Sequence, residues 1–120
     1  MNLYIVRHGE TDYNKMGLMQ GMSNIPLNSK GKYQALEVRE KLNDVDIDLV
    51  IISPLVRAKE TASIIMGKRS VKTITDSRII ERKMGALEGK DRSLYDAKKY
   101  WNYKLNYHNL HLSPLNTVHL

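Results

Sequence analysis

Leu49-Val50-Ile51-Ile52-Ser53-Pro54 decides the fold class. The apolar run is too short for a helix and is bounded by Asp48 and Pro54, so it predicts a strand over 49–53 buried on both faces. Such a strand needs helices to cover it, and both flanks of the sequence supply one. Upstream, Ala35, Val38 and Leu42, joined by Leu36, fall at i, i+3 and i+7, with Glu37, Arg39, Glu40 and Lys41 on other faces. That spacing predicts an amphipathic helix over 29–42, capped by Asn28 or Ser29. Downstream, Leu55, Ala58, Ala62 and Ile65 repeat the stripe in a second helix ending near Gly67.

Further out, Leu3-Tyr4-Ile5-Val6 is a β-prone run that stops at Arg7-His8-Gly9, and Val71 to Thr75 alternates β-branched residues with Lys72. Strand, helix, strand, helix, strand in that order predicts an α/β fold: a three-layer arrangement of parallel strands with helices on both faces. Ligands of such sheets bind at the carboxyl ends of strands, where Arg7, His8 and Ser53 fall. Asp91 to Tyr103 fits one more helix, with Leu94, Ala97 and Trp101 on one side. From Asn106 onward there is no period, which predicts loop or disorder. The organisation expected is one domain over 1–105, incomplete at its carboxyl end, and an atypical tail over 106–120.

The 120 residues carry 19 Lys and Arg against 13 Asp and Glu, a net charge of +6. With no Cys, disulfides, thiolate metal sites and a Cys nucleophile are excluded, and a reducing cytoplasm is the default location. No apolar run approaches the roughly 20 residues of a membrane helix, and the amino terminus lacks the charge pattern of a signal peptide. A membrane partner is therefore not expected. Basic residues are interspersed with acidic ones as far as Asp96, unlike a nucleic-acid-binding arm. Lys98, Lys99 and the tyrosines around Trp101 could stack on bases, but a helix burying its aromatics explains them better.

Chemistry concentrates in Arg7-His8-Gly9-Glu10-Thr11. An imidazole at a strand end beside a guanidinium suits nucleophilic attack on a phosphoryl group: the neutral ring nitrogen attacks and the arginine offsets charge. A single such His is more often a hydrogen-bonded turn residue. Arg57 alone reads as a solvated charge on a helix, Glu81 as a surface carboxylate beside Arg82 and Lys83, and Gln20 as a loop amide.

Together they say more. Arg7-His8-Gly9-Glu10-Thr11 with Asn14 resembles the signature of the histidine phosphatase superfamily, the phosphoglycerate mutase-like group. Gln20-Gly21, Pro26-Leu27-Asn28, Gly31 and Gln34-Ala35 resemble its next segment. Ser53-Pro54-Leu55-Val56-Arg57-Ala58 with Glu60-Thr61-Ala62 resembles its second arginine motif, and Glu81, Gly85 and Glu88-Gly89 its third. The segments keep the family's order over about residues 3 to 90.

The resemblance implies a phosphatase or mutase in which His8 becomes a phosphohistidine, Arg7 and Arg57 grip the phosphoryl oxygens and Asn14 adds a hydrogen bond. It implies Glu81 as general acid and then base, and Gln20 and Gly21 on the substrate side. No metal or other cofactor is implied, since the arginines supply the positive charge. The partner expected is a small phosphorylated metabolite. Metal-independent hydrolysis of phosphomonoesters is the leading expectation, because Gln20-Gly21 and Glu88-Gly89 look closer to the family's phosphatases. Phosphoglycerate mutase-type transfer and a catalytically dead phosphate-binding module remain open.

Two departures stand out. Leu18 occupies the place where many relatives carry Arg. The family's second catalytic His, at a strand end and followed by Gly, also has no match: none of His108, His111 and His119 is followed by Gly. The chain thus resembles the amino-terminal portion of such an enzyme. Impaired activity is expected, along with self-association through the edge of a β-strand left without its neighbour.

Overall fold

A computed structural model describes residues 1–94 and 116–118. Strand β1 (Tyr4–Val6) leads through the Arg7-His8-Gly9 turn into a short helix, α1 (Asp12–Met16), then α2 (Ser29–Lys41), β2 (Leu49–Ile52), α3 (Val56–Met66) and β3 (Lys72–Thr75). Three single turns of tighter helix, at Ser77–Ile79, Gly85–Leu87 and Arg92–Leu94, carry the chain onward. Strand β4 (Asn116–Val118) is the last described element.

Strands β2 and β3 pair in parallel, with Ile51 beside Ile74 and Ile52 beside Thr75. Parallel neighbours need a crossover, and α3 provides it. Strand β1 pairs in parallel with β4, Val6 beside Val118. The α/β class with parallel strands is as the sequence predicts, and the described strands form two two-stranded sheets, β1–β4 and β2–β3. The two ends of α2 explain its length. Asn28 caps its start by accepting from the Gly31 amide, and the carbonyl of Leu42 just beyond its end accepts from Arg69.

The core forms where α2 meets α3: Ala35, Val38, Leu42 and Ile65 are buried together, with Tyr4 and Val6 of β1 packed against them. These are the positions the apolar stripes pick out. Close backbone approach then fixes where β1 ends. A Cβ on Gly9 would lie 2.3 Å from the Gly31 carbonyl oxygen, and one on Gly31 2.1 Å from that of Glu10. The turn after β1 is thus seated directly on the first turn of α2.

Two expectations need correction, and one helix is added. Strand β2 is not buried on both faces: Leu49 and Ile51 are 43% and 53% exposed, because no described element packs over that side. The last residues are not loop throughout, since Asn116–Val118 forms β4 and gives β1 the neighbour the sequence reading leaves missing. Three residues are too few to show a period. Helix α1 is also additional, a single turn with no buried residue that is defined by its cap. Of the helix expected over Asp91 to Tyr103, the described part is a bridge at Asp91 and one tighter turn at Arg92–Leu94; the rest of it, and His108, His111 and His119, lie outside the described residues. No helix among the described residues is long and apolar enough to cross a membrane.

Candidate active site

The site begins with the turn that ends β1. The His8 Nδ1 lies 2.7 Å from the Gly9 carbonyl oxygen. A carbonyl can only accept, so Nδ1 carries the proton and Nε2 keeps its lone pair. Burial lowers the His8 pKa below the ordinary imidazole value; the Gly9 hydrogen bond raises it, Arg57 and Arg7 lower it, and Glu81 raises it. The net shift is downward, which leaves a neutral ring near pH 7. The turn is itself held in place: the Gly9 amide donates to Thr61 Oγ1 at 3.1 Å, and the Glu10 amide to Gln34 Oε1 at 2.8 Å.

Thr11 organises the next segment. Fully buried, it caps α1 reciprocally with Asn14 and donates at 2.7 Å to Gln20 Oε1. Helix α1 ends at Gly17 in the left-handed conformation, φ 71°. This sends Gly17 to Gly21 back across the site.

Arg57, in the first turn of α3, is 1% exposed. Its guanidinium donates to the carbonyls of Ser23 at 2.7 Å and Gly21 at 2.8 Å. Burial lowers its pKa, opposed by Glu81 and Glu88, but an arginine remains charged at any working pH. Glu88 secures the same loop from the other side, accepting from the Met22 amide at 3.0 Å, Ser23 Oγ at 3.1 Å and the Met84 amide at 3.1 Å. Those hydrogen bonds hold the Glu88 carboxyl below its usual range.

All seven residues singled out from the sequence, Arg7, His8, Asn14, Gln20, Gly21, Arg57 and Glu81, line one cleft of about 160 Å³. Glu81 is exposed at its rim and accepts from the Arg82 amide at 2.9 Å. Ser53 does not line the cleft, and its buried Oγ has no hydrogen-bond partner. The strand end there contributes through Arg57, four residues further on. Sequence reasoning missed Met19, Met84 and Arg92 in the lining. None lies in a strand or helix with a readable period, so spacing gave no signal for them.

A buried cation and a neutral imidazole facing one cleft suit a phosphoryl group, and comparison with known proteins agrees. The family model of the histidine phosphatase superfamily (branch 1) matches residues 3–115. The chain belongs to that superfamily. It is 38% identical over 106 residues to the protein named "Probable phosphoglycerate mutase GpmB" of Escherichia coli O1:K1 / APEC, a match covering 88% of this chain and 49% of that protein. The chain thus spans about half the length of the curated relatives it matches. Among solved structures, Bacillus stearothermophilus YhfR superposes with a TM-score of 0.72 at 34% identity, over 78% of this chain and 46% of that one. Phosphoserine phosphatase of Entamoeba histolytica, solved with 3-phosphoglyceric acid, superposes at 0.67 and 33% identity, again over 78% and 46%.

Proposed function

We propose that this chain carries the phosphohistidine-forming half of an enzyme that cleaves small phosphomonoesters. The observation that carries the reading is the Nδ1 contact of His8 with the Gly9 carbonyl. It orients a neutral ring with Nε2 free, in a cleft shared with Arg7 and Arg57.

The chemistry then follows in two steps. His8 Nε2 attacks phosphorus in line as the ester P–O bond breaks, and its electron pair leaves on the alcohol oxygen, which takes a proton from the Glu81 carboxyl. Arg7 and Arg57 match the charge spread over the equatorial oxygens, and Asn14 contributes a hydrogen bond. Next the Glu81 carboxylate takes a proton from water. The hydroxyl oxygen attacks phosphorus, the N–P bond breaks with its pair returning to Nε2, and inorganic phosphate is released. Loss of a fixed donor from such a site typically costs about 10²–10³ in rate.

Mutase-type transfer differs only in the acceptor, a substrate hydroxyl in place of water, and the name of the Escherichia coli relative keeps it as the second reading. The test is to incubate the chain with a labelled phosphate donor and trap label on protein. Alkali-stable, acid-labile label that is absent from His8→Ala supports the proposal, and label that survives the substitution overturns it. Supplying phosphoglycerate and scoring free phosphate against its isomer separates hydrolysis from transfer.

A further inference from the structure

Thr11 carries one hydroxyl proton and sits between two side-chain amides that line the cleft, those of Asn14 and Gln20. Which end of each amide faces the cleft decides whether it attracts an anion there or repels one. An amide NH2 donates to an anionic oxygen, and an amide carbonyl can only oppose it.

The backbone orients Asn14. Its Oδ1 accepts from the Thr11 amide at 3.0 Å, and a backbone N–H can only donate, so Nδ2 takes the opposite side. Gln20 depends instead on the hydroxyl. Thr11 Oγ1 has two acceptors in range, Gln20 Oε1 at 2.7 Å and Asn14 Oδ1 at 3.1 Å. The Asn14 oxygen already has the Thr11 amide, and the Gln20 distance is that of an O–H···O bond, about 2.7–2.8 Å, and not the roughly 2.9–3.0 Å of an N–H donor. The proton therefore goes to Gln20 Oε1, which turns Nε2 away from Thr11. Thr11 is fully buried, so no solvent competes for that proton.

Gln20 is 9% exposed and lines the cleft, and its Nε2 has no acceptor among the described residues. Among those residues only Ser53 Oγ is both fully buried and without a partner, so the Gln20 Nε2 is open at the cleft.

We infer that Thr11 is a positioning residue: its hydroxyl fixes the Gln20 amide so that Nε2 donates to an anion in the cleft, which Thr11 itself does not touch. The inference rests on the phosphoryl site proposed above. It places a second neutral donor, beside that of Asn14, under the control of a single hydroxyl proton.

The test measures orthovanadate binding to the full chain. Thr11→Val keeps the shape and removes the proton, so vanadate should bind about 10-fold more weakly, as for loss of one hydrogen bond to a charged group. Thr11→Ser should bind as the parent does. Gln20→Ala should lose a similar factor, and the double variant of Thr11→Val and Gln20→Ala should be no weaker than Gln20→Ala alone, because the hydroxyl acts through that amide. A loss that came merely from the weakened α1 cap would multiply in the double variant. Multiplied losses, or vanadate binding by Thr11→Val that is unchanged or tighter, overturn the inference. The parent supplies a readout that needs no variant to fold: the Gln20 side-chain amide proton resonances should shift as vanadate saturates the chain, and resonances that stay in place overturn the role of Thr11 while leaving the phosphoryl site standing. A parent chain that binds no vanadate overturns that site, and the role of Thr11 with it.

Discussion

The guanidinium of Arg57 donates at 2.8 Å to the carbonyl of Gly21, 36 residues earlier in the chain, and so joins the first turn of α3 to the segment that crosses the cleft. A second donation, to Ser23, makes the contact two-pronged. The cation that faces the cleft is therefore also a structural tie.

Arg57→Lys should expose both roles at once. A lysine keeps the charge but cannot reproduce the fork, so a buried carbonyl loses its donor. The expected cost is about 1–3 kcal/mol of stability, with phosphate affinity falling about 10-fold or more. Urea denaturation and phosphate titration of the two proteins check this, and a variant that unfolds and binds as the parent does would refute the tie.

Glu88 ties the same loop that Arg57 holds. Its carboxylate gathers the Met22 and Met84 amides and the Ser23 hydroxyl, linking the residues around Gly21 to those after Glu81. In Glu88→Ala, amide exchange at Met22 and Met84 is expected to quicken together, and vanadate affinity to fall about tenfold as Arg57 loses its anchored partners. Faster exchange with unchanged affinity would limit Glu88 to a stabilising role.

His8 sets the pH behaviour. Its folded pKa lies below the ordinary 6.5, chiefly through burial. Below pH 6.5 the unfolded chain binds a proton that the folded chain still refuses, so stability rises with pH across that interval. It is fully present above 6.5 and is lost as pH falls toward the lowered folded value. Glu10 and Glu88, both lowered from 4.5, act only in more acid solution. Between pH 6.5 and 4.5, therefore, the stability of the parent should fall more steeply than that of His8→Gln in parallel denaturation series. Identical slopes would show that His8 titrates normally. On the proposed mechanism, phosphohistidine formation should proceed at pH 7 with the ring neutral and stop once His8 is protonated.

Gly31→Ala sets two local rules against each other. Alanine would favour an exposed helix by about 1 kcal/mol over glycine. Here, however, its Cβ would meet the backbone of Glu10, 2.1 Å from the carbonyl oxygen and 2.7 Å from the nitrogen. Backbone cannot swing aside as a flexible side chain can, so overpacking of about 1–3 kcal/mol dominates and the variant is expected to melt lower. Because the displaced Glu10 follows the His8-Gly9 turn, the proposed phosphorylation of His8 should slow as well. A higher melting temperature would mean that the turn yields freely.

What the sequence revealed follows from where the information lies. The stripe of Ala35, Val38 and Leu42 is written in one helix, and the run at Leu49 to Ile52 in one strand, so both were legible. So was the cleft, because the motifs around His8, Arg57 and Glu81 are contiguous. Arg92 was not, since its place depends on Leu18 meeting Asp91 across a bridge that no local pattern encodes. The extent of β2 was legible but not its burial: an apolar run shows that both faces can be covered, and only packing shows which one is.

That uncovered face makes the last prediction. Ile51 and Ile74 stand side by side in the β2–β3 register, 53% and 40% exposed, with Leu49 two residues from Ile51 on the same face. Contiguous exposed aliphatic surface of this kind is uncommon on a monomer. The native chain should therefore enhance the fluorescence of a hydrophobic dye at neutral pH, before any unfolding. Replacing Ile51 and Ile74 by lysine should remove most of that signal while leaving the melting temperature nearly unchanged, since neither side chain belongs to the core around Val38 and Ile65. Dye binding that persists in the double variant would place the exposed apolar surface elsewhere, and a large drop in melting temperature would show that this face is packed in solution.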